Sequence, residues 1–339
     1  MATIQQIARE LGVSVSTVSA VINRRGYVSG PMRARIETAL READYHPDHI
    51  ARSLRLRETR TIGLLVPDLG NMFYAQLMRG AEDYLSSAGY RLIVADTRDD
   101  WQRQRDYLLV FSGKTADGVI LVPSMATDDQ IASIPHLLRS TPLVYVDRSP
   151  LDAQVDSVLV DNVRAAYDAT EHLLTLGHRR IAIITEPLNL LNAADRLLGY
   201  KKALRAYRVP VNPKLIRPGD NTQDSGYWQA LEVFKLTPYP TAVLACNNRM
   251  LLGVLIALRE LGFACPRAVS LIGFDDFDWS AYIKPPLTIV RQPAGQLGAI
   301  AAKTLLKRIR HPGRDDYEKV LLPTQLVVRQ STSLLAGSP

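Results

Sequence analysis

The chain has 339 residues, 47% of them hydrophobic and 22% charged, with a formal net charge of +7. That length exceeds one ordinary domain, and the composition excludes wholesale disorder, so a small domain joined to a larger two-lobed one is expected. The two cysteines, Cys246 and Cys265, show neither metal nor disulfide spacing, and no run approaches the ~18 apolar residues of a membrane span. The opening MATIQQIARELG lacks the basic start and apolar run of an export signal. A soluble, cytoplasmic protein without metal or cofactor is the expectation.

Charge is unevenly placed. Residues 1–60 hold ten Arg, no Lys and six Asp or Glu, so +4 of the +7 lies in less than a fifth of the chain. A local basic excess suits a polyanion, because each neutralised phosphate releases counterions. The same segment reads as three short helices. Ile4, Ile7, Ala8 and Leu11 keep helical spacing behind Thr3 as N-cap, and Gly12 supplies the left-handed stop. Ser14 caps a second helix, in which Val18 and Val21 face the first. Tyr27, Val28 and Ser29 form a connection. Pro31 sits in the first turn of a third helix whose inner stripe is Ile36, Leu40 and Ala43, with Tyr45 closing it.

Helix, tight glycine turn, helix is the helix-turn-helix unit, whose second helix enters the major groove of DNA. Val15, Ser16 and Ala20 are the candidates for base edges. Ser14, Thr17, Ser19 and Asn23 suit phosphates, and Tyr27 and Ser29 complete the DNA-facing set. A plain three-helix bundle would carry Lys and Glu on that outer face. Small Ser, Thr, Val and Ala instead allow close approach to a duplex.

The run VSVSTVSAVINRRGYVSGPMRARIETALREADYHPDHIARSLR carries V-S-x-x-T-V-S, a later V-S, and Y-x-P-x-x-x-A-R-x-L in order. In these marks the chain resembles the lactose-repressor and purine-repressor family, and the similarity continues to Thr332. The resemblance implies a hinge helix over Asp48 to Leu56 that folds on operator DNA, with Leu54 as the minor-groove wedge and Arg52 and Arg55 along the groove. The segment has too few apolar residues to form a stable helix alone, which agrees. Leu54→Ala is expected to weaken specific DNA binding by a few kcal/mol while sparing ligand binding, as read by gel shift and calorimetry. Two positions depart from the family: Ala20 stands where Arg is frequent, and Asp48 where Asn is common.

From Arg60 the pattern changes to short buried runs: 61–67, 90–97, 118–124, 142–147, 156–161, 180–185, 241–246 and 269–275. They alternate with amphipathic segments such as Phe73–Ala88, Arg164–Leu176, Leu197–Tyr207, Ser225–Phe234 and Arg249–Leu261. About ten strands in this arrangement give two doubly wound α/β lobes with parallel sheets, and ligands of such folds sit at strand carboxyl ends. The expected organisation is a helix-turn-helix domain at 1–46, a hinge and linker at 47–59, and a two-lobed effector-binding and dimerisation domain at 60–339.

PDLGNMFYAQLMRGAE, DGVILVPS, HLLTLGHRRIAII, GFDD, PPLTIVRQP and PTQLVVRQST resemble the family's sensor core, a fold of the periplasmic sugar-binding type. The resemblance marks Asp275, Arg196 and Asn247 as ligand contacts, with Phe73 and Tyr74 packing on the ligand. Asp147, Arg148, Asn221 and Gln292 join the effector set. Asp275 could accept two hydroxyl hydrogen bonds, which suits a sugar. Asn247-Asn248 replaces the usual Asn-Asp, and Asn221 stands near a stacking aromatic of some relatives, for which Trp279 is a candidate substitute. With one negative charge fewer beside Arg148 and Arg196, the expected effectors include sugar acids as well as sugars.

No G-x-S-x-G, H-E-x-x-H or phosphate-loop motif occurs, and the six histidines are scattered; His172 and His178 read as surface or capping residues. The chain is therefore expected not to be an enzyme. A sugar-binding protein without DNA function is the alternative, against which the N-terminal reading head counts. The tail LLAGSP holds no leucine heptad, so a homodimer on a pseudo-palindromic operator is expected, with repression relieved or promoted by the effector.

Overall fold

The computed structural model describes residues 3–22, 25–44, 58–150, 153–313 and 316–335. The chain divides into two compact units, Met1–Thr59 and Arg60–Pro339.

The first unit contains α1 (Ile4–Leu11), α2 (Val15–Ile22) and α3 (Gly30–Glu42). Thr3 and Gln6 form a capping box at the start of α1, and Gly12 ends it at φ +64°. Ile7, Ala8, Val18, Val21 and Ile36 form the buried core, with Leu40 and Ala43 against its edge. Tyr45 lies outside the described residues.

The second unit is two doubly wound lobes. Lobe 1 holds β1 (Thr61–Val66), β2 (Arg91–Asp96), β3 (Gly118–Leu121), β4 (Leu143–Val146), β5 (Asp156–Val160) and β11 (Lys319–Leu322), in the order β11-β5-β4-β3-β1-β2, all parallel. Its helices are α4 (Met72–Ser87), α5 (Trp101–Val110), α6 (Asp128–Leu138) and α11 (Ala294–Arg310). Lobe 2 holds β6 (Ile181–Thr185), β7 (Ile216–Pro218), β8 (Ala242–Ala245), β9 (Ser270–Phe274), β10 (Thr288–Arg291) and β12 (Gln325–Val327), in the order β12-β10-β9-β8-β6-β7. Its helices are α7 (Asn162–Thr175), α8 (Leu191–Ala206), α9 (Gln223–Phe234) and α10 (Asn248–Glu260).

Two features differ from the sequence reading. β12 runs antiparallel to β10, so the second sheet is not wholly parallel. The short strands β7, β10, β11 and β12 are absent from the sequence reading; of these, β7, β11 and β12 are only half-buried and lack the continuous apolar run that marks equally short buried strands such as β4.

The chain crosses between lobes three times: after β5, after β10, and between β11 and β12. The Asp161 N–H donates to Leu322 O at 3.2 Å and ties the first crossing to the third. The helix α11 thus returns from lobe 2 to cover lobe 1, and it packs on α4 through glycines. A Cβ on Gly298 would lie 1.9 Å from the Leu77 carbonyl oxygen, and one on Gly80 1.9 Å from that of Gly295. Backbone cannot yield there as a side chain could. Gly298→Val is expected to destabilise the second unit by about 3 kcal/mol, checked as a lowered denaturation midpoint at unchanged slope.

His178, read from sequence as a surface or capping residue, is buried. Its ring contacts Thr241 Oγ1 at 3.0 Å, Ser270 Oγ at 2.9 Å and Ser333 O at 3.2 Å, holding the last described segment to the lobe 2 sheet. His172 contacts Thr332 Oγ1 at 3.1 Å in the same seam. Among the described residues, no helix is long and apolar enough to cross a membrane.

Candidate functional site

In the first unit, α2 presents a small-residue face. The Ser14 hydroxyl accepts from Thr17 N at 3.1 Å and contacts Ser16 Oγ at 2.6 Å and Thr17 Oγ1 at 2.8 Å, so it caps the helix while tying its first-turn hydroxyls together. Val15 is 42% exposed and Tyr27 96% exposed. Ser16 and Ser29 are exposed, whereas Thr17, Ser19 and Ala20 are half-buried. An exposed valine at a serine-lined helix start, with a solvent-facing tyrosine later in the same unit, suits contact with another molecule. Asn23 and the expected hinge, with Asp48, Arg52, Leu54 and Arg55, lie outside the described residues.

In the second unit, the polar candidates gather where the carboxyl ends of the two sheets face each other. Asp275 follows β9, Asp147 follows β4, Asn221 lies just past β7, and Gln292 follows β10 at the second crossing. Asp147, Asn221 and Asp275 hold φ of +65°, +70° and +70°. For non-glycine residues such backbone costs about 1 kcal/mol or more each and persists where the surroundings dictate it, as at binding sites.

Asp275 is the hub. Its Oδ1 accepts from Gln292 Nε2 at 2.7 Å and its Oδ2 from Asn248 Nδ2 at 2.9 Å. Asn248 Nδ2 also donates to Asn71 Oδ1 at 2.8 Å, which bridges lobe 2 to lobe 1. Beside this bridge, Arg249 pairs with Asp68 at 2.5 Å, a second inter-lobe link. Burial pushes the Asp275 carboxyl up to about 6, and burial likewise raises Asp147, whose Oδ2 accepts from the Tyr74 hydroxyl at 3.2 Å.

The two arginines are paired rather than free. Arg196 donates from Nε to Asn162 Oδ1 at 2.8 Å and from Nη1 to Glu186 Oε1 at 2.7 Å and Cys246 O at 2.5 Å, over the Phe274 ring at 4.3 Å. Arg148 donates from Nη1 to Asp99 Oδ1 at 2.7 Å and Pro123 O at 3.2 Å. Glu186 and Asp99 follow β6 and β2 and carried no signal in the sequence by themselves.

Several groups remain open for a ligand. Gln292 Oε1, both amide atoms of Asn221, Asn192 Oδ1 and Arg148 Nε are buried without a hydrogen-bond partner. Donors and acceptors therefore mix, as hydroxyl groups require. A cavity of about 790 Å³ adjoins the cluster through Ser124 and Arg148, and is otherwise lined largely by α6 and Leu188 to Leu191. Its wall includes Arg148 but not Asp275 or Gln292, so the candidate ligand groups divide between this space and the polar hub.

Other candidates make contacts within the protein. Asn247 caps α10, its Oδ1 accepting from Arg249 N at 2.8 Å and Met250 N at 3.2 Å, so the inward amide is Asn248. Trp279 is half-buried and packs on Phe277, with centroids 6.0 Å apart, against the cores of both lobes. Phe73 and Tyr74 belong to the buried core of lobe 1 and meet edge to face at 5.1 Å. Among the described residues, no group of three His, Cys, Asp or Glu could hold a metal ion.

Comparison with known proteins adds the following. Residues 3–48 match the model for bacterial regulatory proteins of the lacI family, and residues 170–332 match the periplasmic binding protein-like domain. The chain is 36% identical to the ribose operon repressor of Haemophilus influenzae, over 98% of both chains. It is 33% identical to the HTH-type transcriptional repressor PurR of Vibrio atlanticus, again over 98% of both. A crystal structure of the lac repressor dimer bound to operator and the anti-inducer ONPF superposes with a TM-score of 0.88 at 26% identity, covering 98% of this chain and 99% of that one. A lacI-family regulator from Enterococcus faecium with bound ribose superposes with a TM-score of 0.72 at 34% identity, covering 81% of this chain and 99% of that one.

Proposed function

From the premise that the chain belongs to the lacI family of bacterial regulatory proteins, we propose that it represses transcription from a pseudo-palindromic operator under control of a neutral sugar of the ribose class. The observation that carries the ligand class is the buried hub in which Asp275 takes Gln292 and Asn248 while acceptors and donors nearby stay unmatched. Hydroxyl groups donate and accept at once, so a polyol can complete such a set where a purely apolar ligand would leave it unsatisfied. A neutral sugar fits this reading better than a sugar acid, because each arginine already faces a carboxylate. The Haemophilus relative's name and the ribose found in the Enterococcus structure support a pentose. A purine is the rival, supported by the PurR relative. Against it, Asn221 is polar and the half-buried Trp279 packs against the cores of both lobes. Calorimetric titration with D-ribose, other neutral sugars, sugar acids and purine bases tests the reading, and tight binding of a purine alone overturns it.

The site is one of binding rather than catalysis in this reading, and its output is lobe geometry. Asn71–Asn248 and Asp68–Arg249 span the two lobes, so a ligand that competes for or completes these links prefers one lobe arrangement over another. A homodimer suits the exposed apolar side chains of Leu252 and Ile256, one turn apart on α10, and of Leu69 and Met72 at the start of α4. Sedimentation is expected to show a dimer at micromolar concentration; a monomer there counts against operator binding by paired heads.

Ligand affinity should depend on pH with a definite sign. Hydroxyl donors favour the ionised carboxylate, and the buried Asp275 protonates near its raised value of about 6. Affinity is therefore expected to be flat above pH 7 and to fall by up to about tenfold per pH unit below 6. The ligand-free protein behaves oppositely at this group: a raised carboxyl stabilises the fold as pH falls towards the ordinary carboxylate value. Titration near pH 6 in two buffers of different ionisation enthalpy should show proton release on binding, and a pH-independent affinity from 5 to 8 contradicts it.

A further inference from the structure

Two guanidinium groups close to the buried carboxylates Asp147 and Asp275 look at first like an anion site. Their surroundings say otherwise. Arg196 is 3% exposed and Glu186 4% exposed at the side chain, with 2.7 Å between Nη1 and Oε1. Arg148 and Asp99 stand 2.7 Å apart, with side chains 9% and 18% exposed. Asp99 also accepts from Met125 N at 3.0 Å, which holds it against the arginine. Asp147 and Asp275 add their own carboxylates, and both feel the charge of Arg196 and Glu186. Four carboxylates thus surround two guanidinium groups. In a desolvated cleft such charges are poorly screened by salt, so an incoming carboxylate meets net repulsion.

We propose that Glu186 and Asp99 set the charge selectivity of the cleft: by neutralising Arg196 and Arg148 from the protein side, they admit neutral hydroxylated ligands and exclude carboxylates. The proposal rests on the sugar reading for the identity of the neutral ligand, and on the ion pairs for the exclusion. Neither residue has to touch the ligand. Arg196 is also held by Asn162, Cys246 O and the Phe274 ring, so its position survives loss of the Glu186 charge. Glu186→Gln keeps an acceptor oxygen of the same reach and removes only the charge. A purely structural Glu186 would leave selectivity unmoved by that change.

The test compares the full chain with its Glu186→Gln, Glu186→Asp and Asp99→Asn variants, titrated with D-ribose and D-ribonate. The unsubstituted chain is expected to favour ribose over ribonate by about 100-fold or more, since like charges brought together cost several kcal/mol. Glu186→Gln and Asp99→Asn should each narrow that ratio by about tenfold or more, and Glu186→Asp should keep it within about threefold. Ratios unchanged in both neutral variants, or ribonate preferred by the unsubstituted chain, overturn the proposal. A second readout does not need the true effector. Glycerate, against chloride at equal ionic strength, should raise the melting temperature of the two neutral variants but not of the unsubstituted chain; no such difference also overturns the proposal. If no neutral sugar binds, the effector reading fails while the glycerate comparison still decides the selectivity. Should Glu186→Gln not fold, the more exposed Asp99–Arg148 pair carries the same comparison.

Discussion

Asp275→Ala is expected to weaken effector binding by about 100-fold or more while leaving operator affinity unchanged. The substitution removes the acceptor of Gln292 Nε2 and one of the two acceptors of Asn248 Nδ2, which keeps Asn71 Oδ1. It also removes the one carboxylate placed at the carboxyl end of β9 to receive ligand hydroxyls. Two hydrogen bonds to a charged acceptor, at about 1.5–3 kcal/mol each, give the expected size. Asp275→Asn should fall between, because the amide oxygen still accepts from one of the two donors while the amide nitrogen opposes the other. Calorimetry gives the affinity and a gel shift with and without ribose gives the response. A normal response in the alanine variant would place the effector elsewhere.

The second large effect is its mirror image. Val15→Glu is expected to weaken specific DNA binding by about 100-fold or more without lowering the melting temperature or the effector affinity. Val15 is the first residue of α2 and lies exposed, so a longer side chain costs no core packing. A carboxylate in the first turn favours the helix itself through the macrodipole. Against a duplex the same charge faces phosphates and the acceptor-rich floor of the major groove. Operator affinity retained in this variant would mean that α2 does not lie in the groove. The two substitutions together separate the reading head from the sensor, each abolishing one function and sparing the other.

How much of this was legible in the sequence varies with how local each determinant is. The reading head was legible because its signals sit within a few residues of each other. The Thr3 cap, the Gly12 stop and the Ser14 cap appear at their expected positions, and Ile7, Val18 and Ile36 fill the core their spacing implied. The central strands were legible because burial on both faces leaves continuous apolar runs, as in β1, β4, β6 and β9. Asp147, Arg148 and Asp275 could be named because they follow β4 and β9 and strand ends of such sheets are where ligands sit, whereas Arg196, inside α8, was named only from the family resemblance.

The amino-acid sequence by itself thus determined the helix-turn-helix pattern, the two-lobed α/β plan and the polar residues at the strand ends, since each follows from short-range spacing and burial. Only the tertiary structure decided that Asn248 rather than Asn247 turns into the cleft, that Asn71 reaches across to meet it, and that Glu186 and Asp99 neutralise the arginines. The physical reason is distance along the chain. Asn248 meets a residue 177 positions away and Arg148 one 49 positions away, and which pairs meet is fixed by strand order and by the three crossings between lobes.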